Sequence, residues 1–424
     1  MEELKEGWRR VRLGDVIESI SDTTKIIEDE VVLINTSDVY DGKVLNHQLV
    51  ENKGLKGQFK KRFKYGDILY SEIRPINRRF AKIKFDSTNY LASTKLMILR
   101  KKENTIIDEE YIYQLLKSDK IISELQQIAE SRSGTFPQIT FNELKTLEFF
   151  LPSLEIQKKI TSILSSLDEK IELNRKINQN LEETAQTLFK RWFIDFEFLN
   201  EEGKPYKSSG GKMIESELGE IPEGWRVGKL GEIVEINPKE NLKKLEKKIY
   251  VEMKCLSETS SIISEYYERE FTGTGTKFKN KDTLMARITP CLENRKIGYV
   301  NFLKDNDIGW GSTEFNILRS QNNIPKELSY FIARSKNFLN YAISNMNGSS
   351  GRQRVNGKIL EEYNIVISPE NIYKKFGKVS NIIMNKIENN RKEIEKLIKL
   401  RDYLLPRLMS GEIDVNNLKI FEVV

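Results

Sequence analysis

The sequence carries its own opening a second time. Glu6-Gly7-Trp8-Arg9, followed by Leu13-Gly14-Asp15, returns as Glu223-Gly224-Trp225-Arg226, followed by Leu230-Gly231-Glu232. The echo persists at a shift of about 216 positions. Ser93-Thr94-Lys95-Leu96-Met97-Ile98-Leu99-Arg100 recurs as Ser312-Thr313-Glu314-Phe315-Asn316-Ile317-Leu318-Arg319, and Asp168-Glu169-Lys170-Ile171-Glu172-Leu173-Asn174-Arg175-Lys176 as Met384-Asn385-Lys386-Ile387-Glu388-Asn389-Asn390-Arg391-Lys392. A period this long is unlike a solenoid, whose repeats run about 20 to 50 residues, and predicts two domain-sized halves. Two similar units are built to touch two similar things.

At 424 residues the chain exceeds one ordinary core and suits two to four domains. Apolar content of 38% allows packed cores, while 31% charge and a mean hydropathy of -0.51 predict a soluble protein. No run of about 18 apolar residues exists and the amino terminus does not read as a signal peptide, so a cytoplasmic protein without membrane contact is expected. Cys255 and Cys291 form no CxxC pair, and the single histidine, His47, sits in a polar segment expected on the surface. With one imidazole, a Ser-His-Asp triad or a zinc site has little to be built from, and no metal site is expected. A net charge of +6 is compatible with nucleic acid without demanding it.

Each half runs from a mixed segment into a long amphipathic helix. Val31 to Ile34, Ile68 to Tyr70, Lys95 to Leu99 and Phe315 to Leu318 read as short buried strands, Glu109 to Gln127 and Lys326 to Met346 as helices. That mixture predicts α/β or α+β globules of roughly 150 residues. Ser153 is a candidate N-cap for the first long helix, with Glu155 in its first turn, and Ser368-Pro369-Glu370 opens the second. From Ile160 the positions Leu164, Leu167, Ile171, Asn174, Asn178, Leu181, Ala185, Leu188 and Trp192 alternate four and three apart. Phe376, Ser380, Ile383, Ile387, Asn390, Ile394, Leu397, Arg401, Leu404 and Leu408 do the same. Such seams predict a coiled coil of roughly 55 Å. Either the helices pair with each other, which is the expectation here, or each packs on its own globule. In an antiparallel pair the midpoints meet, so Asn174 and Asn390 are expected to bond across the seam and fix its register. Between the halves, Gly203 to Lys212 reads as a Gly/Ser/Pro-rich linker.

These residues resemble the DNA specificity (S) subunit of type I restriction-modification enzymes over nearly the whole chain. The resemblance rests on Pro205-Tyr206-Lys207-Ser208-Ser209-Gly210-Gly211 leading into Ser216-Glu217-Leu218-Gly219-Glu220-Ile221-Pro222-Glu223-Gly224-Trp225, on the helical string from Asp168 to Lys176, on Ala185 to Phe193, and on Leu404-Leu405-Pro406-Arg407-Leu408-Met409-Ser410-Gly411-Glu412-Ile413. It implies two target recognition domains, residues 1–152 and 216–367, held apart by spacer helices at 153–196 and 368–410. A linker at 197–215 and a tail at 411–424 complete the chain. The implied fold is α/β (α+β) with an antiparallel coiled coil and a pseudo-two-fold internal repeat. The implied partners are double-stranded DNA, two modification (methyltransferase) subunits and restriction or translocase subunits. S-adenosylmethionine, ATP and magnesium would serve those partners, and this subunit would hold no cofactor and no catalytic centre. One departure is that Pro406 stands where the first helix has Lys190, so the helix ends are expected to differ.

Candidate DNA contacts fall in three places. Lys53, Lys56, Lys60, Lys61, Arg62 and Lys64 form a basic cluster suited to phosphates, or simply a solvated face. Arg74-Pro75-Ile76-Asn77-Arg78-Arg79 places guanidiniums and an amide on a stiff loop, and its repeat partner runs from Arg287-Ile288-Thr289-Pro290 to Asn294-Arg295-Lys296. Guanidinium forks onto guanine and asparagine pairs with adenine, though a turn with incidental charge has the same composition. The loops Ser133-Gly134-Thr135-Phe136-Pro137-Gln138 and Gly348-Ser349-Ser350-Gly351-Arg352-Gln353-Arg354 are the third pair, or else turns before the spacer helices. Enzyme motifs are lacking. Thr272-Gly273-Thr274-Gly275-Thr276 is not followed by an apolar helix face, Asn237-Pro238-Lys239 lacks the rest of a methyltransferase tetrad, and there is no Walker loop. Asp67 and Asp282 are expected to shape turns before strands. The alternatives are an autonomous DNA methyltransferase or nuclease, and a coiled-coil scaffold that does not touch DNA.

Overall fold

The computed structural model describes residues 7–54, 57–131, 137–349 and 351–417. The chain divides into two compact units, one of residues 1–170 with 397–424 and the other of residues 171–396. Both cuts fall inside 40-residue helices, α1 (Leu154–Phe193) and α2 (Glu370–Met409), so each unit contains part of both.

Unit 1 holds two four-stranded sheets. The strands of these sheets are β1 (Ile17–Ile20), β2 (Glu30–Ile34), β3 (Leu49–Glu51), β4 (Phe59–Lys61), β5 (Ile68–Ser71), β6 (Phe80–Lys82), β7 (Tyr90–Ser93) and β8 (Leu96–Lys101). The first sheet runs β1-β8-β5-β6 and the second β3-β2-β7-β4. Within the second, β2 and β7 are parallel, with Leu91 opposite Leu33. Its other pairings are antiparallel. The main core packs the first sheet against the helices Glu109–Leu116 and Asp119–Ser131, against Ile160 and Leu164 of α1, and against Leu405, Leu408 and Met409 of α2.

Unit 2 has β9 (Val234–Ile236), β10 (Lys247–Val251), β11 (Tyr267–Glu270), β12 (Thr276–Lys279), β13 (Thr283–Ala286), β14 (Ile297–Tyr299), β15 (Ile308–Gly311) and β16 (Phe315–Ser320). Its sheets run β9-β16-β13-β14 and β11-β10-β15-β12, again with one parallel pair, β10 and β15. Its core joins helices Leu328–Arg334 and Lys336–Ser344 to Ala185, Phe189 and Trp192 of α1 and to Phe376, Ile383 and Ile387 of α2. The architecture is a mixed α/β one, with two sheet-rich units and two long helices.

The duplicated motifs have local physical reasons. Leu13 N–H donates to the Leu147 carbonyl at 2.8 Å, and Leu230 N–H to that of Tyr363 at 2.9 Å. This brings the following glycine against a passing chain: a Cβ on Gly14 would lie 2.8 Å from Lys145 Cβ, and one on Gly231 3.3 Å from Glu361 Cβ. The acid of each motif then caps the turn, Asp15 accepting from Arg12 N–H and Glu232 from Lys229 N–H. The sequence also predicts the buried aspartates correctly as turn formers, since Asp67 accepts from Lys64 N–H and Asp282 from Lys279 N–H. Each has a further role that composition did not disclose. Arg100 forks onto Asp67, and Arg319 onto Asp282, through pairs of 2.7 Å bonds.

Several expectations change in detail. Each domain helix pair read as one continuous helix is broken at a serine. Ser118 Oγ donates back to the Leu115 carbonyl and Ser335 Oγ to that of Ile332, both at 2.7 Å, capturing an acceptor that a continuing helix would need. The helix ends, expected to differ at Pro406, fall at equivalent positions, since α2 runs through Pro406 to Met409 and α1 to Phe193. Ser153 caps α1 as expected, accepting from Ile156 N–H, and Pro369 stands immediately before α2 with its carbonyl accepting from Ile372 N–H. Along both helices the predicted seam positions are buried or half-buried.

The expected Asn174–Asn390 bond is not formed. Asn390 Nδ2 donates instead to Asn178 Oδ1 at 2.8 Å, and Asn178 Nδ2 to the Ile387 carbonyl at 3.1 Å. Asn174 is 2% exposed and its Nδ2 has no hydrogen-bond partner among the described residues. Equivalence in a repeat says which residues share an environment, not which ones meet; the facing amide lies one helical turn further along α1.

The segment read as a linker is held down. Phe198 stacks on Trp225 at 5.1 Å and on Tyr206 at 4.6 Å between ring centres, and the side chain of Asn200 closes a turn on Glu202 and Lys204 N–H. Trp8 meets the end of α2, where Gly411 has φ +73° and a Cβ would approach the indole to 3.0 Å.

Candidate nucleic-acid interface

In unit 1 the Arg74–Arg79 loop meets Pro137 and Gln138, the described end of the second candidate loop. The chain after β5 turns through Arg74 to Arg78, with Pro75–Asn77 in a tight helical turn and Arg74 and Arg78 both left-handed at φ 44° and 53°. Non-glycine residues rarely adopt such angles, and they cluster where a loop is held for a purpose. The loop is bound to the segment before α1 and to the β7–β8 turn by three main-chain bonds. Glu72 N–H donates to Lys95 O at 3.0 Å, Arg74 N–H to Pro137 O at 3.1 Å, and Ile139 N–H to Glu72 O at 2.9 Å.

Unit 2 builds the same frame. Arg287 N–H donates to Glu314 O at 3.0 Å, Thr289 N–H to Gln353 O at 3.1 Å, and Val355 N–H to Arg287 O at 2.9 Å. Short bridges tie Ile73 to Gln138 and Ile288 to Arg354. The left-handed Arg78 has its counterpart in Arg295, at φ 57°. The resulting shelf presents backbone and side chains from three separate stretches of sequence at one place.

The side chains on the two shelves differ. In unit 1 Lys95 Nζ donates to Gln138 Oε1 at 3.0 Å and lies 3.7 Å from Glu72. In unit 2 Arg354 forks onto Glu314 at 2.9 and 2.7 Å, and Arg287 Nε lies 4.0 Å from the same carboxylate. The hydrogen bonds from Arg354 hold the Glu314 carboxyl below the usual carboxylate range, against a smaller opposing effect of burial. The sequence reading named Gln138, Arg287 and Arg354 but missed Glu72, Lys95 and Glu314. The signal was present, because Ser93-Thr94-Lys95 aligns with Ser312-Thr313-Glu314 and its charge reverses.

The remaining candidates differ in exposure and in what their side chains bond. Arg74, Asn294, Arg295 and Arg352 are exposed, while Asn77, Lys296 and Gln353 are half-buried. Arg78 is spent internally, donating to Asp41 at 3.0 Å and to Asp119 at 2.7 Å. Burial would lower its pKa, but the two carboxylates raise it above the ordinary arginine value. Arg79 donates to Thr36 Oγ1 at 3.2 Å. The basic cluster also splits. Lys53, Lys60 and Lys64 are exposed, and Arg62 is half-buried with its N–H on the Asp22 carbonyl. Lys61 turns inward to the Thr94 and Leu96 carbonyls at 2.9 and 2.8 Å, and burial lowers its pKa. It therefore braces the backbone on either side of Lys95. Lys56, residues 133–136 and Ser350 lie outside the described residues.

The motifs that superficially suggest enzymes have structural uses. Gly275, at φ +127°, leads into β12 where a Cβ would lie 2.6 Å from the Gly311 carbonyl oxygen. Asn237 pairs with Asn316 and accepts from Ile317 N–H. Among the described residues no group of three or more His, Cys, Asp or Glu is arranged to hold a metal. No described helix is long and apolar enough to cross a membrane.

Comparison with known proteins gives a consistent picture. The family described as type I restriction modification DNA specificity domain matches residues 5–183 and again 222–399. The chain is 31% identical over 458 residues to the type I restriction enzyme HindI specificity subunit of Haemophilus influenzae, covering 96% of this chain and 99% of that one. It is 32% identical over 320 residues to the MjaIX specificity subunit of Methanocaldococcus jannaschii, covering 73% and 70%. Among solved structures, the type I restriction-modification S subunit from M. genitalium shares the fold, with a TM-score of 0.54 at 18% identity over 96% of this chain and 98% of that one.

Proposed function

The chain belongs to the family of type I restriction-modification DNA specificity subunits, and from that premise we propose that each unit reads one half of a two-part DNA sequence. As a specificity subunit it is a non-catalytic component of its complex. The observation that carries the two-part reading is the shelf built twice: three main-chain bonds of matching length hold equivalent positions in both units, while the side chains they present differ. A fixed scaffold with variable tips is what reading two different sequences requires, since phosphate contacts position a protein and base-edge contacts specify.

In this reading the halves arose by internal duplication and are related by a pseudo-two-fold axis, and α1 and α2 pair as an antiparallel coiled coil that fixes the gap between half-sites. The Asn178–Asn390 bond supports such a register, because a buried amide pair opposes slippage. Equivalent faces of a duplex recur about once per helical turn, so a fixed frame selects one spacing. Exposed Arg74, Asn294, Arg295, Arg352, Lys60 and Lys64, with Asn77, Gln138, Lys296 and Gln353, supply phosphate and base contacts. Two modification subunits dock on the chain and bring S-adenosylmethionine, and restriction subunits bring ATP and magnesium. The test is a map of methylated adenines in cells carrying this chain with its modification partner. A bipartite motif with a constant gap is expected; methylation without such a motif sinks the proposal.

A further inference from the structure

We propose that Glu72, Lys95 and Gln138 in unit 1, and Arg287, Glu314 and Arg354 in unit 2, set which bases each unit accepts, and that unit 2 takes a guanine through Arg287. The proposal deepens the DNA-reading function and rests on it.

Arg354 spends Nε and Nη2 on Glu314. The carboxylate so pinned stands 4.0 Å from Arg287 Nε, too far for a hydrogen bond and close enough to orient the guanidinium. Arg287 Nε is buried with no hydrogen-bond partner among the described residues, and so is Thr289 Oγ1 two positions on. Native structures rarely leave such donors unsatisfied; Nε itself is closed to solvent, so a base meets the outer nitrogens of the guanidinium, whose side chain is 32% exposed. The major-groove edge of guanine offers two acceptors, O6 and N7, spaced for a guanidinium fork.

Unit 1 inverts the polarity at the same place. Glu72 occupies the position of Arg287, and its partner Lys95 donates to Gln138. A carboxylate there repels guanine O6 and N7 and accepts from an exocyclic amino group, as on cytosine or adenine. Stability does not explain the exchange, because Lys95 is 49% exposed and a pair of this kind adds little to folding. The two shelves therefore cannot accept the same base edge, and the two half-sites differ at equivalent positions.

The experiment transfers the unit 2 side chains to unit 1 as Glu72→Arg, Lys95→Glu and Gln138→Arg in the full chain, expressed with its modification partner, with adenine methylation mapped across the genome. Methylation at the original sites should fall about tenfold or more, the size of one well-made base contact, and the new motif should gain guanine in one half only, with the other half and the gap unchanged. A second variant, Glu72→Lys with Lys95→Glu, keeps the ion pair and the net charge and is read in the same way if the triple variant is insoluble. Retention of the original motif at wild-type levels in a soluble variant overturns the proposal. So does loss of both halves together, which assigns these residues to the scaffold. A wild-type map without a bipartite motif instead refutes the DNA-reading function itself.

Discussion

Unit 1 and unit 2 agree where the backbone is concerned and part company where side chains meet something else. Their sheets have corresponding strand orders, their shelves have matching main-chain bonds, and each buries an aspartate under an arginine fork. They differ in how the long helices are fastened. Unit 1 uses charge: Asp168 on α1 is bonded by Lys117 at 2.5 Å and by Arg401 at 3.1 Å. On α1 unit 2 uses a carboxylate without such a pair, Glu182 accepting from Ser261 and from the Tyr330 hydroxyl, and its buried ion pair, Arg391 with Glu388, lies within α2 and reaches the unit through the Tyr266 hydroxyl. They differ again in their repeated tryptophans, since Trp225 is 5% exposed among Phe193, Phe196 and Phe198, while Trp8 is only half-buried. The lesson is that the path of the chain and the burial it creates define a unit, and many different side-chain solutions fasten it.

That contrast is open to measurement, and the largest effect is expected at the tryptophans. Trp225→Ala should cost about 3 to 5 kcal/mol in denaturant unfolding, and Trp8→Ala about half as much. Equal losses would mean that the aromatic stack contributes nothing beyond the shared motif.

The fastenings come next. Asp168→Asn leaves Lys117 without its carboxylate and should destabilise by about 2 kcal/mol, below the full cost of breaking a deeply buried pair because Asp168 is 29% exposed. Burial alone would raise the Asp168 pKa, but Lys117 and Arg401 hold it below the usual carboxylate value. A depressed folded-state pKa gives stability that is complete above the unfolded value, about 3.9, and is lost as pH falls through the folded one. Wild type and Asp168→Asn should therefore converge in stability only well below pH 4, and convergence near neutrality contradicts the assignment.

A smaller effect separates the helix amides. Asn178→Leu strands the buried Asn390 amide and should cost about 1 to 2 kcal/mol. Asn174→Leu removes a buried donor that has no partner among the described residues, and should be neutral or stabilising. If the two variants lose stability equally in unfolding experiments, the register assignment is wrong. Smallest of all, Lys95→Ala should cost less than about 1 kcal/mol in the same measurement, leaving its effect on the methylation motif as its main consequence.

Much of this fold is legible in the sequence because it is written in local terms. The four predicted strands fall on observed ones with ends shifted by a residue or two, Ser153 caps α1, and the three-and-four spacing marks the buried faces of both long helices. What was not legible depends on partners distant in sequence. Nothing local says that Lys61 turns inward to Thr94 and Leu96, or that Arg78 is spent on Asp41 and Asp119. The offset from Asn174 to Asn178 follows from how two helices face each other, which spacing within one helix does not encode. For the candidate interface, composition located the loops, and only their convergence exposed Glu72, Lys95 and Glu314 as the residues between them.

The most direct measurement replaces residues 1–150 with the corresponding stretch of a relative that recognises a different sequence, and maps adenine methylation in cells with the modification partner present. One half of the motif should change while the other half and the gap persist. A change in both halves, or in neither, contradicts the account of two independent readers on one frame.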